Sequence, residues 1–167
     1  TLAELRDRLE TFAAAALDEA DPPATLELDV DDLNTLLALF PELGAYQGLV
    51  HFTGISADGA IAADIALPMN QMRFWKGHRY LAGDGTFRLT HEPDEFRLYL
   101  ILEALEVDGE SVPEGFLNNL EHWLWFTPYY EEGRSRDVLL KITSLETVDG
   151  TVRLSVGESD RDEDGQR

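Results

Sequence analysis

"EFRLYLILEALEVDG", residues 95–109, decides how this chain folds. Phe96, Leu98, Leu100 and Leu102 alternate onto one side of an extended segment, and Tyr99, Ile101, Leu105 and Val107 onto the other. A strand that is apolar on both faces is covered on both, which predicts the centre of a sheet. Asp108-Gly109 then signals a tight turn, and Val112-Pro113 redirects the chain into a helix with Pro113 at its entry. On an ideal helix Phe116, Leu117, Leu120, Trp123 and Leu124 share one face, so this helix should lie back on the sheet. Trp125 falls nearly opposite that face, beside Asn118 and His122. Pro128 disfavours helix at Thr127, so Trp125 either stands out as an anchor for a partner or tucks inward from an irregular last turn.

Upstream, Leu2, Leu5, Leu9, Phe12 and Ala16 step by threes and fours, predicting a helix over 1–20 that Pro22 and Pro23 end. "TLELDV", 25–30, alternates as a short strand. Leu33, Leu36, Leu37 and Phe40 then mark a second helix, with Asp31 or Asp32 as N-cap and Pro41 as terminator. From residue 46 the period becomes two. "YQGLVHFTGIS" and "AIAADIALPM" read as a hairpin about "ADG", with Tyr46, Val50 and Phe52 on one face of the first strand and Ile61, Ile65 and Leu67 on one face of the second. "NQMRFWKGHRYLAGDG", 70–85, reads as irregular, and "TFRLTH" as the next strand. "DVLLKITSLETV" and "TVRLSV" form a last hairpin about Asp149-Gly150. The order predicts an α+β fold, a curved antiparallel β-sheet (a meander of about six to seven strands) packed against two or three helices. It predicts one domain over 1–157 and an acidic tail over 158–167.

Composition excludes several functions. The net charge of −20 leaves no basic face for phosphate neutralisation, which argues against nucleic acid as a partner. There is no cysteine, hence no disulfide framework, thiolate metal site or thiol nucleophile. His51, His78, His91 and His122 include no pair at HxH or HxxxH spacing, so no metal site is predicted. "DRDEDG", 160–165, opens like a calcium loop but the chain stops before the closing glutamate, so it reads as part of the tail. No P-loop, GxGxxG or GxSxG is present, and neither a cofactor nor a catalytic residue is predicted.

One segment departs from the acidic background. Between Gln71 and His91 stand Arg73, Lys76, Arg79 and Arg88 against Asp84 alone, with Phe74, Trp75 and Tyr80 interleaved. Rings beside cations suit an anionic amphiphile, the rings at the apolar boundary and the cations on the head group. The same cations can instead pair with the acidic surface while the rings complete the core.

The helix with "LNTLL" (33–37), the hairpin ending in "LPM" (67–69), "YLAGDGTFRL" (80–89) and "LEVDGESVPEGFLNNL" (105–120) together resemble the extracytoplasmic domains of YpmS-like bacterial envelope proteins and, more loosely, tubular lipid-binding domains. The resemblance spans about residues 30–156. It implies a domain held outside the cytoplasm by an N-terminal membrane anchor upstream of Thr1, with an apolar groove and no catalytic centre. The expected function is therefore non-enzymatic binding of an apolar or lipid-like amphipathic ligand. Arg73, Lys76 and Arg79 would meet the head group, and Trp75, Tyr80 and Trp123 the apolar part. The alternative is a protein-protein interaction module docking a partner through Trp125.

Overall fold

The computed structural model describes residues 1–18, 23–39, 48–68, 80–92, 97–120, 133–148 and 150–157. Among these it shows an α+β fold of four helices and eight strands in two antiparallel sheets. In chain order the elements are α1 (Leu2–Leu17), β1 (Ala24–Leu28), α2 (Val30–Leu39), β2 (Val50–Ile55), β3 (Ala60–Pro68), β4 (Tyr80–Glu92), β5 (Arg97–Val107), β6 (Glu110–Ser111), α3 (Glu114–Leu120), α4 (Arg134–Leu139), β7 (Ile142–Val148) and β8 (Thr151–Val156). The meander β2-β3-β4-β5-β6 forms one sheet. The first strand and the final hairpin form the other, in the order β1-β8-β7.

Local chemistry accounts for most of these boundaries. Thr1 and Glu4 close α1 with a reciprocal capping box, and Leu5, Phe12 and Ala16 bury the predicted stripe while Leu2 stays half exposed. α2 is capped by Asp29, not by Asp31 or Asp32: the Asp29 carboxylate accepts from the Asp32 backbone N–H at 2.8 Å, and the Asp29 N–H donates back to the Asp32 carboxylate at 3.3 Å. Arg8 of α1 holds this corner, donating to Asp32 Oδ2 at 2.6 Å and to the Glu27 carbonyl at 2.7 Å. The β5–β6 turn has Asp108 at φ 54° and Gly109 at φ 79°, the pair of positive angles that a two-residue hairpin of this twist requires.

Three findings correct the expectations. First, β5 is the fourth of five strands, and β6 pairs with it only at Glu106 and Val107, so the centre of the sheet is β4. Part of the two-sided pattern of β5, at Leu105 and Val107, comes from a bulge at Glu103, which inserts one residue between the pairs Phe87–Leu102 and Thr86–Ala104. One extra residue reverses the alternation, so Leu98, Leu102 and Leu105 are all buried although their numbers differ in parity. Second, "YLAGDG" is not irregular but the first part of β4, which pairs with β3 from Tyr80 to Arg88. Gly83 and Gly85 sit in that strand because a Cβ would run into the Glu106 carbonyl at Gly83 and into the Ile65 side chain at Gly85. Third, "DVLL" does not begin a strand. It ends α4, whose Arg134 donates to Glu10 of α1 at 2.8 Å, and the strand starts only at Ile142.

α3 packs on β5 through Leu117 and Phe116, as its apolar face requires. α1 packs on β1, and α2 against β2. Phe87, Leu5, Leu105, Ile61, Ile142 and Val152 are the innermost large side chains, and no polar residue is buried, among the described residues. The sheets meet at the β2–β3 turn, where the ideal Cβ of Gly59 would lie 3.3 Å from Thr147 Oγ1 of β7.

α2 also protects an edge. β2 is the first strand of its sheet, and the Asn34 side chain takes both outward backbone groups of Phe52, accepting from its N–H and donating to its C=O, each at 2.9 Å. The amide acts as a short stand-in for another strand. Asn34→Ala is expected to lower stability by about 2 kcal/mol, two hydrogen bonds at about 1 kcal/mol each, and to increase self-association through β2. Urea denaturation and light scattering on the same samples check both parts.

Candidate ligand groove

An open groove of about 850 Å³ crosses the end of the larger sheet where β2 begins, β3 ends, β4 begins and β5 ends. Register builds it. His51 lies opposite Asp64, Asp64 opposite Asp84, and Asp84 opposite Glu106, so these four form one row across four strands on the outer face. The neighbouring rows are small: Ala66 opposite Ala82 on one side, and Ala62, Thr86 and Ala104 on the other. No bulky side chain from these rows fills the space above the acids, and the groove is what remains.

Leu37 and Ala38 of α2, with Leu49 and Ala66, contribute apolar lining, whereas Val50 and Ile65 border the groove through strand positions whose side chains face the core, away from the acid row. Asp64, Asp84, Glu106 and Asp108 make the charged part, and no lysine or arginine lines it among the described residues. The described ion pairs of the cations lie elsewhere: Arg8 with Asp32, Arg88 with Glu103, Arg134 with Glu10 and Arg153 with Glu27. Beside Asp32 the Arg8 guanidinium is held above its usual range, the short hydrogen bond being the main cause, and Arg88 beside Glu103 likewise. The acid row has none of these partners. Like charges directly opposite on adjacent strands repel, so the row costs stability unless a cation occupies the groove or salt screens it.

His51 and Asp64 face each other, but no hydrogen bond joins their side chains, and among the described residues no serine, threonine, tyrosine or cysteine lines the groove. No group of three potential metal ligands converges among the described residues. His91 lies far along β4, opposite Leu98, with a buried Nε2 that has no hydrogen-bond partner among the described residues.

Of the residues predicted from sequence, Tyr80 opens β4 opposite Pro68 and is 65% exposed, outside the groove lining. Arg73, Trp75, Lys76, Arg79, Trp123 and Trp125 lie outside the described residues, as do His78, His122 and the tail. The acid row went unread because its members are scattered over 51–106 and nothing but strand register unites them. The one signal available was the recurrence of aspartate among alanines in "AIAADIA" and glycines in "AGDG".

No family model, characterised protein or solved structure matches this chain. No helix among the described residues is long and apolar enough to cross a membrane.

Proposed function

We propose that this protein is a non-enzymatic binding domain of the bacterial envelope, holding an apolar or amphipathic, lipid-like ligand in the groove at the end of the larger sheet. The observation that supports this is the groove itself. Its volume falls within the range of about 300–1,000 Å³ typical of small-molecule sites, and its lining combines small and apolar residues with a row of polar ones. The resemblance to YpmS-like domains adds the envelope location and an upstream anchor to the proposal, on the strength of its motifs alone.

Native mass spectrometry of protein purified without detergent is the direct test. A co-purified mass, lost after Ala82→Trp, is the expected result. Ala82 lies on the outer face, exposed, so tryptophan there fills the groove without entering the core. An adduct-free spectrum, with no binding across a panel of single-chain amphiphiles, would sink the proposal.

A further inference from the structure

We infer that Asp108–Gly109, the turn joining β5 to β6, is a site of backbone modification, where aspartate isomerises to isoaspartate faster than at the other described Asp-Gly pairs. The step needs neither enzyme nor cofactor. The Gly109 backbone nitrogen attacks Asp108 Cγ and forms an N–Cγ bond, while the amide proton and the carboxyl OH leave as water. Water then opens the resulting cyclic imide. Cleavage of the new N–Cγ bond restores aspartate. Cleavage of the bond to the backbone carbonyl leaves the chain running through Cγ, with a free α-carboxylate beside it.

Asp-Gly occurs at Asp58, Asp84, Asp108, Asp149 and Asp164, and glycine suits the reaction because no side chain shields its nitrogen. The pairs at 58, 84 and 108 lie wholly within the described residues, and their surroundings differ. Asp84–Gly85 is inside β4, which is paired on both sides, and Gly85 is buried. At Asp58–Gly59 the Gly59 N–H donates to the Ser56 carbonyl at 3.0 Å, and the Asp58 carboxylate accepts from the Ser56 hydroxyl and the Ala60 N–H. Those bonds, the Ser56 one foremost, hold the Asp58 carboxyl below the usual carboxylate range, and an ionised carboxylate is a poor acyl donor. Asp108–Gly109 has no such restraint. Both residues are exposed, and neither the Asp108 carboxylate nor the Gly109 N–H has a hydrogen-bond partner among the described residues. Opening the turn is also cheap, since β6 pairs with β5 only at Glu106 and Val107, at the edge of the sheet. The product adds one backbone atom to a two-residue turn whose positive angles match the twist of its strands. It therefore disturbs the register of β6 and the rim of the groove, which Asp108 and Gly109 border.

The test is incubation of the whole chain for several weeks at neutral pH and body temperature, folded and in guanidinium, with peptide mapping and electron-transfer fragmentation to identify isoaspartate. In the folded chain the peptide holding Asp108 should convert about tenfold or more faster than those holding Asp58 and Asp84, because the rate follows the population of the locally opened state. In guanidinium the three rates should converge. An isoaspartate-specific carboxyl methyltransferase with labelled S-adenosylmethionine should then label the aged folded chain at the Asp108 peptide. Asp108→Glu, whose longer side chain cannot close the five-membered imide, should lose that label. If Asp58 or Asp84 converts as fast as Asp108 in the folded chain, or if folding slows Asp108 as much as it slows them, the assignment is overturned.

Discussion

Gly83→Ala is expected to lower stability by about 3 kcal/mol or more, enough to unfold a marginal domain at ambient temperature. A Cβ at this position would fall well inside van der Waals contact of the Glu106 carbonyl oxygen, 3.0 Å from the Glu106 carbonyl carbon and 3.1 Å from Val107 Cγ2. The obstacle is backbone, and it belongs to the strand that pairs with β4 through this region. Relief demands that β4 and β5 separate, which breaks ladder hydrogen bonds at the end of the sheet that forms the groove. Gly85 is the instructive contrast. Its missing Cβ would overlap the tip of Ile65, with Leu102 Cδ1 at 3.2 Å, so the obstacle there is mainly a side chain. Gly85→Ala should cost about 1–2 kcal/mol, and Ile65→Val should recover part of it, giving a favourable coupling in a double-mutant cycle. Urea denaturation of the four proteins provides the energies. A Gly83→Ala protein as stable as wild type would mean that β5 does not approach β4 this closely at Glu106.

Phe87→Ala is expected to lose about 3–5 kcal/mol with an unchanged urea m-value. Phe87 is the most enclosed large side chain, at 0% exposure, and meets Phe52 of β2 edge-on with ring centroids 6.0 Å apart and planes at 73°. Its removal leaves a cavity on the inner face of the strand at the centre of the larger sheet, and the ring pair is lost with it. Phe52→Leu keeps most of the volume and should cost only about 1–2 kcal/mol. All variants need comparison at one ionic strength, since a chain of net charge −20 gains stability with added salt. A Phe87→Ala loss below about 1 kcal/mol would place the core elsewhere.

Much of the fold was legible because helical and strand periods are local. The α1 stripe of Leu5, Phe12 and Ala16 is buried as its spacing requires, Val50 with Phe52 and Ile61 with Ile65 face inward as alternation predicts, and α3 lies on β5 through the face that carries Leu117. Turn dipeptides located the hairpins for the same reason: Gly59, Gly109 and Gly150 adopt positive φ. Short apolar runs were less secure. "DVLL" has no period long enough to separate helix from strand, and its contact with α1, some 120 residues earlier in the chain, decided for helix.

The candidate site was hardly legible at all. Residues chosen for their chemistry, cations beside aromatic rings, clustered along the chain. The groove is instead assembled across the chain, from His51, Asp64, Asp84 and Glu106 on four strands. Single carboxylates in an acidic protein carry no mark of which will be neighbours.

By itself, then, the sequence determined most of the elements, "DVLL" and the opening of β4 excepted, together with the hairpin turns and the α+β class with antiparallel pairing. Tertiary structure alone decided how eight strands divide between two sheets, which strand is central, and which acids stand side by side. The reason is that periodicity is set by neighbours a few residues away, whereas register is set by packing between distant segments. A single inserted residue, Glu103, is enough to bring Leu105 inward and to carry Glu106 onto the face with Asp84 and Asp64.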